Sequence, residues 1–129
     1  MTRAGYSVSL SSDGSVLAIG SPDLSPVGKD SNAGSTKVYA WDGIVGDWVQ
    51  RGQAIYGEND YEALGSSVSL SGDGDVLAIA AGGATVQGVE SVGHVRVYRL
   101  NITNGNWEKI GADIAGSGNA MQHPILSVN

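Results

Sequence analysis

Gly5-Tyr6-Ser7-Val8-Ser9-Leu10-Ser11-Ser12-Asp13-Gly14-Ser15-Val16-Leu17-Ala18-Ile19 returns sixty residues later as Gly65-Ser66-Ser67-Val68-Ser69-Leu70-Ser71-Gly72-Asp73-Gly74-Asp75-Val76-Leu77-Ala78-Ile79. The two stretches differ only at Tyr6/Ser66, Ser12/Gly72 and Ser15/Asp75. Self-similarity at a fixed period of this size marks a repeat architecture. Further anchors follow in order. Gly34 and Val38-Tyr39 lie over Gly93 and Val97-Tyr98 at an offset of 59, and Trp48, Gly52, Ile55 and Gly57 lie over Trp107, Gly111, Ile114 and Gly116 at the same offset. The slip of one residue falls in the divergent stretch between Ile19 and Gly34.

Inside one repeat, Tyr6 to Ser11 alternates apolar and polar residues, the pattern of a strand with one buried face. Asp13-Gly14 and Asp73-Gly74 supply the positive-φ residues of a tight hairpin turn. Val16-Leu17-Ala18-Ile19 is apolar without alternation, as a strand covered on both faces would be. A long loop by composition runs from Ser21 to Gly34. A third strand is predicted at Thr36 to Trp41 and at His94 to Arg99. The fourth is predicted at Trp48 to Gly52 and at Trp107 to Gly111; its polar and charged residues suit an outer edge. No sustained helical period is present.

Four antiparallel strands per unit point to an all-β protein made of β-propeller blades, two four-stranded antiparallel blades of about 60 residues each. The boundaries are 5–64 and 65–124. Residues 125–129 read as the possible start of a third repeat, since Ser127-Val128 follows Ser67-Val68 by 60. A β-sandwich shares the short strands and turns but gives no reason for the repeat. Two blades cannot close a ring and leave faces to be covered by neighbours. Either the segment belongs to a longer protein, or it is a two-blade protomer that closes a ring by oligomerising.

Composition removes several classes. A net charge of −6 argues against a nucleic-acid partner, which requires a basic footprint. The seven Lys and Arg residues are scattered, and no run of eighteen apolar residues exists, so no membrane insertion is expected. With no cysteine, disulfides and thiolate metal sites are excluded. The 20 glycines lack a triplet period and read as turns. The residues after Met1 run straight into a strand pattern, so a secretory signal, if the parent protein has one, is expected upstream.

The pieces Gly5-Tyr6-Ser7-Val8, Leu17-Ala18-Ile19-Gly20-Ser21-Pro22 and Gly34-Ser35-Thr36-Lys37-Val38-Tyr39 resemble the FG-GAP repeat family, the blades of the integrin α-subunit propeller. The second copy offers Gly65-Ser66-Ser67-Val68, Leu77-Ala78-Ile79-Ala80-Ala81 and Gly93-His94-Val95-Arg96-Val97-Tyr98. The resemblance covers nearly the whole chain. It implies a ring of six or seven blades, an extracellular or cell-surface location, and a non-enzymatic adhesion or structural function through protein or glycan contacts, with other blades of the same or neighbouring chains as partners. Tyr6 and Ser66 stand where the family has Phe, and Gly82 where it has Pro. The Asp-rich calcium loop of such blades is reduced to Ser11-Ser12-Asp13-Gly14-Ser15 and Ser71-Gly72-Asp73-Gly74-Asp75. A calcium ion wants six to eight oxygens. Asp13 and Asp73 therefore read as turn residues, with Asp73 and Asp75 the one weak metal candidate; no other cofactor is expected.

No catalytic constellation is visible: His94 and His123 fall in no triad or metal spacing. Ligand-binding candidates are Asp23, Asp30 and Asn32 in the long loop, because loops on a rigid scaffold carry binding, together with Trp41, which can stack on a sugar. Trp48 and Trp107 are fixed by the repeat and read as packing residues. Glu58-Asn59-Asp60-Tyr61-Glu62 joins the repeats and reads as a solvated connection able to hold a cation or pair with a basic partner. Asn101-Ile102-Thr103 is an N-glycosylation sequon in a predicted turn. The alternative function is a two-blade lectin protomer that oligomerises into a carbohydrate-binding propeller.

Overall fold

The alternation in the first repeat produces β1 (Ser7–Leu10), and the apolar run after the Asp13-Gly14 turn produces β2 (Val16–Ser21). β3 (Ser35–Asp42) pairs with β2 along its whole length, Ser21 opposite Ser35 and Val16 opposite Ala40. β4 (Asp47–Gln50) and β5 (Ile55–Tyr56) both pair with β3, β4 at its C-terminal half and β5 at its start. The second repeat copies this as β6 (Leu64–Leu70), β7 (Val76–Ala81), β8 (His94–Asn101), β9 (Asn106–Lys109) and β10 (Ile114–Ala115). The computed structural model describes residues 4–23, 33–59, 62–83 and 93–115. Within them the protein is all-β, two five-stranded antiparallel sheets with no helix. Residues 125–129 lie outside the described residues.

The expected fourth strand is interrupted. Gly52 (φ +77°) and Gly111 (φ +72°) take the left-handed conformation that glycine alone adopts cheaply. Each breaks the outer strand into two short pieces on one partner, so the strand ends at Gln50 and Lys109 and restarts at Ile55 and Ile114.

The sheets stack face to face. Ser7 and Ser9 point from β1 toward β6: the Ser7 hydroxyl donates to the Gly65 carbonyl (2.8 Å), and the Leu70 N–H donates to the Ser9 hydroxyl (3.0 Å). Gly20 lies on the same side, where a Cβ would run into the Gly65 carbonyl. The chain enters the second sheet through Ala63, held at φ +57°, with the Leu64 N–H donating to the Ala33 carbonyl (3.0 Å). One core fills the gap, built from Val16, Ala18, Val38 and Ile55 on one side and Val68, Leu70, Leu77, Ile79, Tyr98, Leu100 and Trp107 on the other.

Trp107 is the largest wedge in that core. Its indole N–H donates to the Arg51 carbonyl (2.9 Å), and a Cβ on Gly52 would lie 2.6 Å from its ring. Gln53 clamps its backbone, the amide nitrogen donating to the Trp107 carbonyl (2.8 Å) and the amide oxygen accepting from the Trp107 N–H (2.7 Å). The expectation of a strand covered on both faces holds for β7, buried from Leu77 to Ala81. β2 instead alternates buried and half-buried residues, because only its Val16–Ala18–Gly20 side meets the other sheet.

The repeat mates Trp107 and Trp48 thus sit in opposite environments, 3% and 37% exposed. Trp107→Ala is expected to lower unfolding free energy by about 3–5 kcal/mol. Trp48→Ala is expected to cost about 1 kcal/mol or less. Urea denaturation of both variants followed by β circular dichroism checks the contrast.

Candidate functional site

The pairing sorts the connections to two ends of the stacked sheets. The tight turns 11–15, 43–46, 71–75 and 102–105 lie at one end. The connections after Ser21, after Tyr56 and after Ala81 lie at the other.

The sequence candidates divide between these ends. Asp73 and Asp75 share one turn, and one carboxylate oxygen of each is engaged. Asp73 Oδ1 accepts from the Ser71 hydroxyl (2.7 Å) and the Asp75 N–H (3.0 Å), while the Ser71 hydroxyl oxygen accepts from the Val76 N–H (3.0 Å). Asp13 repeats the arrangement with Ser15 and Ser11. The Asp75 carboxylate is ion-paired with Arg51, which reaches across from the first sheet. No group of three or more acidic, His or Cys residues suited to a metal occurs among the described residues.

Asn101 opens a turn, its Oδ1 accepting from the Thr103 N–H (2.9 Å) while its amide nitrogen donates to Glu108 (3.2 Å). Trp41 is exposed and stands edge-to-face on Trp48, ring centroids 5.6 Å apart at 72°. The pair borders a shallow groove with Ile44, Val49 and Gln50. Asp23 is half-buried at the opposite end, away from Trp41. Asp30, Asn32 and His123 lie outside the described residues.

The densest polar grouping is one the sequence reading placed in solvent. Glu62 is completely buried (0% exposed) and is ion-paired with Arg96, itself 1% exposed. The other Glu62 oxygen accepts from the N–H groups of Glu58 (3.2 Å) and Asn59 (3.0 Å). Arg96 Nε donates to Asp113 (3.1 Å), and its terminal nitrogen lies 3.4 Å from Glu58. Lys109 donates to Asp113 (2.9 Å). His94 Nε2 is enclosed between Glu62 (3.5 Å) and Asp113 (3.7 Å). Glu62, which reads in the sequence as part of a solvated connection, is instead buried against Arg96 of the same chain. His94, Arg96, Tyr98 and Leu100 alternate along β8 and share its buried face. An arginine on an apolar face requires a carboxylate beside it. That is the signal in the sequence that locates this cluster.

The cluster is a network of ion pairs. It ties the connection between the sheets (Glu58, Glu62) to β8 and to the segment after β9 (Asp113), with every charge opposed by another. No family model matches the chain, and no curated protein matches it either.

Removing one member of a buried pair leaves a desolvated charge, which costs about 3–5 kcal/mol; replacing both by apolar residues is far less harmful. Arg96→Met and Glu62→Leu are each expected to lose that much stability. The double variant is expected to fall well short of their sum in a double-mutant denaturation cycle.

Acid should loosen the fold as well. The Ser15 hydroxyl holds the Asp13 carboxyl below the usual range, and the Ser71 hydroxyl does the same for Asp73. Partial burial works to raise Asp113, but the Lys109 hydrogen bond and the Arg96 charge outweigh it and bring Asp113 below the usual range too. A carboxyl with a depressed folded pKa contributes stability above its unfolded value, about 3.9, and loses it as pH falls through the folded value. The urea midpoint is expected to hold from pH 7 to about 5 and to fall below about 4. Asp113→Asn should make that fall shallower.

Proposed function

We propose that this chain is a non-enzymatic β-propeller segment of an extracellular or cell-surface adhesion or structural protein, acting through contacts of its inter-strand connections with a protein or glycan. The observation that carries the reading is the stack itself. Two sheets with the same pairing order, 59 or 60 residues apart, bury a common core between their faces, the relation that adjacent blades of a propeller have. A ring of such units needs neighbours on both sides and leaves its connections free to vary.

Those connections support contact as the mode of action. The stretches after Ser21 and after Ala81 rejoin their sheets at equivalent places, Ser35 opposite Ser21 and His94 opposite Ala81. One contains Ser-Pro-Asp-Leu-Ser-Pro and the other Gly-Gly-Ala-Thr-Val-Gln. Divergent loops at equivalent corners of a rigid repeat can acquire separate ligands without disturbing the fold.

Screening the chain on an immobilised glycan array and on a panel of extracellular proteins tests this. Replacing residues 22–33 or 82–92 with Gly-Ser of equal length is expected to reduce any binding at least about tenfold with the β circular dichroism unchanged. Binding untouched by both replacements, or catalytic turnover of a screened substrate, would reject the reading.

A further inference from the structure

The first sheet has an outer face that the second sheet does not cover. Alternation puts Val8 and Leu10 opposite the side where Ser7 and Ser9 bond to β6, and Leu10 is 57% exposed. Ile19 pairs with Val8, Leu17 with Leu10 and with Tyr39, and Trp41 with Trp48, so all lie on this same face. Tyr6 and Trp41 are exposed beside them. This is a contiguous apolar surface on a described sheet, the kind that marks an interaction site.

The second sheet shows what such a face is for. Val8, Leu10, Leu17, Ile19, Tyr39 and Trp48 precede Val68, Leu70, Leu77, Ile79, Tyr98 and Trp107 by 59 or 60 residues. All six pairs match residue for residue on strands of the same register. Every member of the second set is buried against the first sheet. The open face is thus a second edition of one whose occupant is visible.

That occupant has four features. Gly20 leaves room for the Gly65 carbonyl. Gly52 lies under the Trp107 ring. Gln53 clamps the Trp107 backbone. Glu62, in the connection that follows, neutralises Arg96. On the open side Gly5 (φ +86°) stands for Gly65, Trp48 for Trp107 and Lys37 for Arg96.

A second copy of this chain fits poorly. Its second sheet carries Ala80 at the place of Gly20 and Ala112 at the place of Gln53, keeping only Gly111. Residues 116–123, at the places of 57–64, contain no Asp or Glu to meet Lys37.

We propose that the open face of the first sheet is the docking surface for a further sheet of this same repeat, distinct from the second sheet of another copy. That sheet carries glycine at the place of Gly20, Gly-Gln at the place of Gly52-Gln53, and a glutamate in the connection that follows. The proposal rests on the blade reading above and adds the identity of the neighbour.

The chain has no cysteine, so Leu10→Cys gives a single thiol reporter on the face. The probe is a copy of residues 5–64, which has all four features, joined ahead of residues 5–129. The thiol is expected to label freely in the 129-residue chain and at least about tenfold more slowly in the extended chain, the protection a closed packing surface gives. Gly20→Val or Glu62→Gln placed in the added copy alone is expected to restore fast labelling. Val45→Cys on an exposed turn should label equally fast in both chains, and β circular dichroism should rise with the added repeat.

Equal labelling of Leu10→Cys in both chains overturns the proposal, as does an extension that adds no β signal. Protection that grows with concentration of the unextended chain overturns it in favour of a second copy. Protection by a sugar from the glycan array overturns it in favour of a carbohydrate platform at Trp41 and Trp48. Labelling reads stacking only, while loop replacement reads ligand contact, so failure of one leaves the other standing.

Discussion

Between Gly20 and Gly65 the two sheets approach so closely that a Cβ on Gly20 would meet the Gly65 carbonyl, and this approach sets the spacing for everything around it. It allows the Ser7 and Ser9 hydroxyls to bond directly across to the backbone of β6. It brings Val16 and Ala18 into one core with Leu77 and Ile79. Trp107 then fills the wider gap at the outer strands, where the kink at Gly52 opens a seat for its ring. Small residues on one face and large ones on the other make the two surfaces complementary, which is how interiors reach dense packing.

The same geometry accounts for the buried charges. Once the sheets are this close, the start of β8 has no access to water, and Arg96 is enclosed together with His94. The connection that crosses from one sheet to the next passes the same point and supplies Glu62. Ion pairs of this kind are weak contributors to stability but strict about arrangement, because each unpaired alternative is costly. Here the arrangement they enforce is the passage from the first sheet to the second. Lys37 stands at the corresponding place on the open face, where the proposed neighbour's carboxylate would meet it.

An asymmetry follows. Each sheet has a face of small residues and a face of large ones, and stacking joins unlike faces. The interface between the two sheets is therefore heterologous. The substitution of Ala80 for Gly20 and Ala112 for Gln53 shows that the units of this chain are not interchangeable.

The sequence by itself determined the unit. The near-identity of residues 5–19 and 65–79, the Asp-Gly turns and the spaced Val-Tyr and Trp positions specify strands, turns and pairing order, because period-2 alternation and glycine turns are local physics. The turn role of Asp13 and Asp73 was legible for the same reason. What it left open was everything that depends on one sheet lying on another. Trp48 and Trp107 are the same residue at the same repeat position, yet one is half-exposed and the other buried. Glu62 reads as one more acid in a polar connection, yet it sits at the bottom of the interface. Trp41 is exposed, while its counterpart Leu100 is core. Only the tertiary structure decided these, since burial belongs to the pair of surfaces in contact and a strand's own residues do not say which of its faces will be covered.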